Sequence, residues 1–150
     1  MRIAIASDHA ALALKSALAD YLRGLGHNVA DLGPHDETSV DYPDYGYSLA
    51  AAIADGSAER GVALCGSGIG ISIAVNRNPS ARAALVSEPL SARLAREHND
   101  ANVIAMGARL IGIEMAKACI DAFLSTDFGG DRHQRRVDKL SNPITTKEPA

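Results

Sequence analysis

Short apolar segments alternate with helix-forming ones along most of this chain, and that alternation constrains the fold more than any other feature. Residues 2–7 read as a first strand. Residues 10–24, with Leu12, Leu18 and Leu22 at helical spacings, read as a helix closed by Gly24 and Gly26. Residues 27–32 form a second strand before the Gly33-Pro34 turn, and residues 34–45 are a polar loop. Residues 47–54 suit a helix ending near Gly56. A third strand, 61–65, leads through a glycine-rich loop, 66–70, into a helical stretch, 71–76. Residues 81–86 are a fourth strand; Ser87 caps the next helix, which has Pro89 in its first turn and runs to about His98. Residues 102–106 make a fifth strand, 110–124 a long amphipathic helix beginning near Arg109, and 132–140 a short basic one.

Strands that alternate with helices pair in parallel through crossover connections. The expected fold is therefore α/β: an open, doubly wound, Rossmann-like parallel sheet of five strands with helices on both faces, three layers in all. In such sheets ligands bind outside the carboxyl ends of the strands. A chain of 150 residues fits one domain, here 1–140, followed by a polar tail, 141–150. The net charge of −3 leaves no basic footprint, which argues against nucleic acid as main partner. The two cysteines, Cys65 and Cys119, have neither C-x-x-C nor metal-ligand spacing, which suits a reduced cytoplasm. Asp8 and His9 interrupt the apolar N-terminus too early for a signal peptide or a membrane span.

The loop Gly66-Ser67-Gly68-Ile69-Gly70 matches none of three common glycine-rich motifs. A dinucleotide fingerprint needs glycine where Ile71 stands; a Walker loop needs a terminal Gly-Lys-Ser/Thr; a nucleophile elbow around Ser67 needs glycine where Cys65 stands. What remains is a strand, a loop of backbone N–H groups and a helix start, which suits an anion or an oxyanion. Cys65, at the strand's end, is either a small buried hydrophobe or a thiolate favoured by the helix N-terminus. Cys119 sits among core residues. Asp8 is placed to cap the next helix, a role compatible with ligand binding. His98 ends a helix, where the dipole favours imidazolium; His27 and His35 read as solvent-facing. Arg132 and Arg136 share one helix face and, with His133 and Arg135, make either a solvated cationic face or a phosphate clamp.

Taken together, Ser7-Asp8-His9, Asp41-Tyr42-Pro43, Cys65-Gly66-Ser67-Gly68-Ile69-Gly70, Ser87-Glu88-Pro89, Arg96-Glu97-His98-Asn99-Asp100, Gly107-Ala108-Arg109 and Arg132-His133-Gln134-Arg135-Arg136 resemble the ribose-5-phosphate isomerase B and galactose-6-phosphate isomerase family. The resemblance implies aldose–ketose isomerisation of a small-molecule sugar phosphate through a cis-enediol, without metal or organic cofactor. It implies that Cys65 is the base, that Ser67 with the amides of Gly66, Gly68, Ile69 and Gly70 holds the enediolate, and that His98 helps open the sugar ring. Asp8, Asn99 and Tyr42 would meet the sugar, and His9, Arg109, Arg132 and Arg136 the phosphate. Relatives of a second type use a glutamate where Ile71 stands, so this chain resembles the cysteine type. The family's sites lie at subunit interfaces, which implies a homodimer or homotetramer. Ribose 5-phosphate is the expected substrate; allose 6-phosphate, galactose 6-phosphate and erythrulose 4-phosphate are the alternatives. A sensor without catalysis would keep the arginines but not need Cys65 and His98, and a nucleotide-binding domain lacks its fingerprint. The tail from Ser141 carries no family motif.

Overall fold

The computed structural model describes residues 1–144, so most of the polar tail expected at 141–150 lies outside the described residues. The strands are β1 (Arg2–Ser7), β2 (Asn28–Asp31), β3 (Arg60–Cys65), β4 (Ala83–Leu85) and β5 (Val103–Gly107). The α-helices are α1 (Leu12–Gly24), α2 (Tyr42–Ala54), α3 (Ile69–Val75), α4 (Pro89–Asn99), α5 (Ile113–Ser125) and α6 (Arg132–Ser141). All strand pairs are parallel, in the order β2-β1-β3-β5-β4. The chain winds one way from β1 and the other way from β3, so the topological switch lies between these two strands.

Strand side chains alternate between faces. On one face Ile3, Ile5, Val62, Leu64, Ile104 and Met106 pack against α1, α4 and α5 through Leu18, Leu22, Ala92, Ala95, Ile120 and Phe123. On the other, Ala4, Ala6, Ala63, Cys65, Val103 and Ala105 meet Leu49 and Ala50 of α2 and Ile71 and Val75 of α3. The small side chains of this second face let α2 and α3 approach closely. A Cβ added to Gly46 would lie 2.8 Å from the Ala74 Cβ, so glycine is required where the two helices touch.

Several boundaries differ from the sequence reading: α1 starts at Leu12 rather than 10 and α3 at Ile69 rather than 71, and three further differences bear on packing and the site. Helix α2 starts at Tyr42, not 47: Pro43 suits its first turn, and Gly46 stays helical because packing on Ala74 outweighs its poor helix propensity. Glu88, not Ser87, caps α4, its carboxylate accepting from the N–H groups of Leu90 and Ser91. Helix α5 begins at Ile113 behind Gly112, so Arg109 lies in the turn before it rather than at its start.

One ion pair fixes the β2 end of the sheet. Lys15, only 2% exposed, places its ammonium 2.6 and 2.7 Å from the two Asp31 carboxylate oxygens. The Gly33 N–H also donates to Asp31. Burial by itself would raise the Asp31 carboxyl; the Lys15 hydrogen bond, the Gly33 N–H and the Lys15 charge outweigh it and hold the group below the usual carboxylate value. With the folded value depressed, the stabilisation is complete above the ordinary carboxylate range and disappears as pH falls through the folded value. Because Asp31 stays partly exposed, Lys15→Met, which removes its charge-assisted hydrogen bonds, is expected to cost about 2 kcal/mol at neutral pH. Urea unfolding at several pH values should show that deficit shrinking below about pH 4.

Candidate active site

The carboxyl ends of β1 and β3 are adjacent, and each delivers a functional side chain to the same cleft. After β1, Asp8 is nearly buried; its N–H donates to the Leu64 carbonyl and its Oδ1 accepts from the Ala10 N–H at 3.0 Å. Asp8 thereby caps the short 3-10 turn His9–Ala11 that leads into α1, rather than α1 itself, and its carboxylate still lines the cleft. After β3, Cys65 is 4% exposed, and the Gly68 N–H points at its sulfur, with N···Sγ 3.1 Å.

The loop after Cys65 is stitched to the turn after β5. The Ala108 N–H donates to the Cys65 carbonyl at 2.9 Å and the Arg109 N–H to the Gly66 carbonyl at 3.0 Å. Gly68 adopts φ +77°, and a Cβ there would lie 2.7 Å from the Met106 carbonyl carbon. Ser67 Oγ accepts from the Ile69 N–H. The Arg109 guanidinium lies over Gly66, 3.3 Å from where a Cβ would stand. Tyr42, the first residue of α2, lays its ring on Gly70, where a Cβ would be 2.5 Å from Cζ.

Asp8, Tyr42, Cys65, Gly66, Ser67, Ile69, Gly70 and Arg109 thus line one open cleft of about 570 Å³. Ile73 and Leu110 line it too and were not foreseen. Ile73 lies one helical turn beyond Ile69, a signal visible only once α3 is started at Ile69. Gly68 is buried and contributes its N–H. The cleft combines a potential base, preorganised N–H donors, a carboxylate and a guanidinium, the parts needed to move a proton beside a carbonyl.

His9 opens into a neighbouring cleft of about 480 Å³, lined also by Lys15, Asp31, His35 and Glu37. Its Nδ1 accepts from the Val40 N–H at 3.1 Å, which leaves the Nε2 proton free to donate. Of the two histidines read as solvent-facing, His35 is exposed; His27 is half-buried, its Nδ1 3.2 Å from the terminal amine.

Four residues placed in the site by the sequence reading are not brought to Cys65 within this chain. Helix α4 runs antiparallel to the strands, so His98 and Asn99 in its last turn lie at the strand-start edge. There Asn102 accepts the Gly61 N–H at the beginning of β3, at the end of the sheet opposite Cys65. Arg96, 3% exposed, anchors this corner by donating to Asp100 and to the Ala101 and Thr126 carbonyls. Asn99 lines a separate cleft of about 350 Å³ with Arg82 and Leu140. Arg132 and Arg136 sit on α6, exposed beside the His98 ring, which stacks on His133. Burial lowers the His133 imidazole below its ordinary value, helped by the charges of Arg132, His98 and Arg136 and opposed by Glu97.

A family model described as Ribose/Galactose Isomerase matches residues 3–140. The chain is 42% identical to ribose-5-phosphate isomerase B of Escherichia coli, over 93% of this chain and 94% of that protein. It is 44% identical to D-erythrulose-4-phosphate isomerase of Pectobacterium atrosepticum, over 93% of each. The crystal structure of a ribose 5-phosphate isomerase from Thermotoga maritima superposes with a TM-score of 0.92 at 51% identity, covering 93% of this chain and 97% of that one. Fold and cleft define an enzyme of the sugar-phosphate aldose–ketose isomerase class. The chain belongs to the ribose/galactose isomerase family.

Two of the left-handed glycines, Gly26 and Gly68, differ in surroundings, and that difference is measurable. Gly26, at φ +91°, has open space where a Cβ would go, whereas Gly68 faces backbone. Gly26→Ala should cost about 1 kcal/mol, from backbone conformation alone. Gly68→Ala should cost about 3 kcal/mol or more, because the Met106 backbone must also move. Equilibrium urea unfolding of both variants checks the contrast.

Proposed function

We propose that this chain interconverts ribose 5-phosphate and ribulose 5-phosphate through a cis-enediol, with Cys65 as the base. The observation that carries the reading is the Cys65 sulfur under the Gly68 N–H, in a cleft shared with Asp8, Tyr42 and Arg109. The Cys65 thiolate takes the C2 proton of the open-chain aldose. The electron pair moves to the C1 oxygen, giving an enediolate held by Ser67 and the amides of Gly66, Gly68, Ile69 and Gly70. A proton passes between the two oxygens, and the Cys65 thiol returns its proton to C1. Asp8, Tyr42 and Asn99 hold sugar hydroxyls; His9, Arg109, Arg132 and Arg136 hold the phosphate; His98 moves the proton that opens the furanose.

The separation of these residues within one chain supports a site shared between two copies. One copy supplies the Cys65 cleft, and its partner supplies the α4 and α6 ends. The cleft's rim carries Ile69, Ile73 and Leu110, which are 51%, 51% and 66% exposed and suit burial against a second copy. A homodimer, alone or paired into a tetramer, satisfies this arrangement. Two free thiols suit the cytoplasm.

A second reading is a four-carbon substrate, favoured by the 44% identity to the erythrulose phosphate isomerase. Pocket differences of one carbon discriminate weakly. Initial rates on ribose 5-phosphate, allose 6-phosphate and erythrulose 4-phosphate, with EDTA present, decide between them. Cys65→Ala is expected to lower kcat about 1,000-fold while substrate still binds; a variant keeping most of its kcat rules out the cysteine base. Mixing inactive Cys65→Ala with inactive His98→Ala subunits should restore about a quarter of wild-type activity if sites are shared across a two-fold interface. No recovery after confirmed subunit exchange would refute the shared site.

A further inference from the structure

Outside the Cys65 cleft, the closest pairing of titratable rings in the described residues is His98 on His133. Their centroids are 4.6 Å apart and their planes are inclined by 16°. The two come from different elements: His98 from the last turn of α4, His133 from the first turn of α6. Among the described residues no hydrogen bond holds either imidazole. Among the described residues the stack is thus the directional contact on the His98 ring.

We propose that His133 is a positioning residue for ring opening: its ring is the platform that holds the His98 imidazole in the orientation needed for proton transfer. This rests on the His98 role proposed above. In this role His133 itself touches no sugar atom.

The surroundings suit a platform. Arg132 and Arg136, one residue before and three after His133, flank it on α6, while Glu97 faces it from α4. Burial and these guanidiniums keep His133 below its ordinary value, so it favours the neutral form at neutral pH. A neutral ring can stack against His98 in either charge state, whereas two imidazolium ions at this distance would repel. Corner contacts keep the supporting elements together. The Gly129 N–H donates to the Glu97 carbonyl at 2.9 Å, and Arg82 donates to both Asp100 and Ser141. A free histidine side chain turns about two torsions; fixing it in advance removes a search from the reaction.

The test compares His133→Ala with His133→Phe. Alanine is the better helix former, so α6 persists without the platform; phenylalanine keeps a flat ring and no titratable nitrogen. Two reactions are followed. One is exchange of the C1 proton of ribulose 5-phosphate in heavy water, which needs only the Cys65 step because this ketose is open-chain. The other is isomerisation of ribose 5-phosphate, whose substrate arrives largely as a ring. His133→Ala should lose about 10- to 100-fold in isomerisation and less than threefold in exchange. His133→Phe should restore isomerisation to within about threefold of wild type, as expected of a misplacement repaired. In the proton NMR spectrum the His98 ring signals should move in the alanine variant, as a ring-current contact is lost, and stay displaced from free-histidine positions in the phenylalanine variant.

Full isomerisation by His133→Ala would overturn the platform. So would a phenylalanine variant as poor as alanine, which would mean that His133 acts through its own nitrogens. Equal loss of exchange and isomerisation in His133→Ala would assign the effect to phosphate binding and overturn it as well. Absence of both reactions in the wild type would overturn the enzyme reading and with it this role, while the ring-current shifts would still report the stack.

Discussion

The close approach of α2 and α3 to the alanine-lined face of the sheet is the constraint on which the rest of this structure depends. Gly61, Ala63 and Cys65 of β3 and Ala4 and Ala6 of β1 point to this face. Where side chains are that small, helices lie close, and Gly46 and Ala74 touch. Cys65 continues the same face to the end of its strand, so it emerges under the start of α3 and beside the start of α2. A leucine or isoleucine face, like the opposite one, would lift α3 away and carry the loop amides out of reach of the sulfur.

Close packing also explains why two loops distant in sequence behave as one piece. Backbone hydrogen bonds join Cys65 and Gly66 to Ala108 and Arg109, and Gly68 lies on the Met106 backbone. The N–H that faces the sulfur is thereby fixed before any ligand arrives, which is what electrostatic stabilisation of a developing charge requires. Arg109 is carried on the same seam, which explains why its guanidinium lies over Gly66 although it is 43 positions further along the chain. The Lys15–Asp31 pair does comparable work at the β2 end, holding the segment whose Val40 N–H fixes the His9 tautomer.

Much of this was legible in the residues. Alternating periods announced a parallel sheet, and the carboxyl-end rule put Asp8 and Cys65, which both follow strands, at the same edge of it; that their strands are neighbours flanking the switch point comes from the strand order. Local rules failed where packing overrode them. Gly46 falls between the loop read over 34–45 and the helix read over 47–54, yet its missing side chain is what lets α2 dock. Leu110 looked helical by its apolar character, yet the β5 turn folds back onto Gly66 and delays α5 to Ile113. Ile73 falls inside the helical stretch read over 71–76, and only the packed helix presents it to the cleft rim.

The sequence by itself determined the sheet, the face on which Cys65 lies and the chemical inventory of the site, because these follow from side-chain size, periodicity and strand order. Only the tertiary structure decided which of those groups meet. Helix α4 runs back across the sheet before its chemistry-bearing turn, so His98 and Asn99 finish at the edge away from Cys65 and join the basic helix α6 instead. Distance along the chain carries no record of that separation. It arises because a crossover helix must return the chain to the starting edge of the next parallel strand.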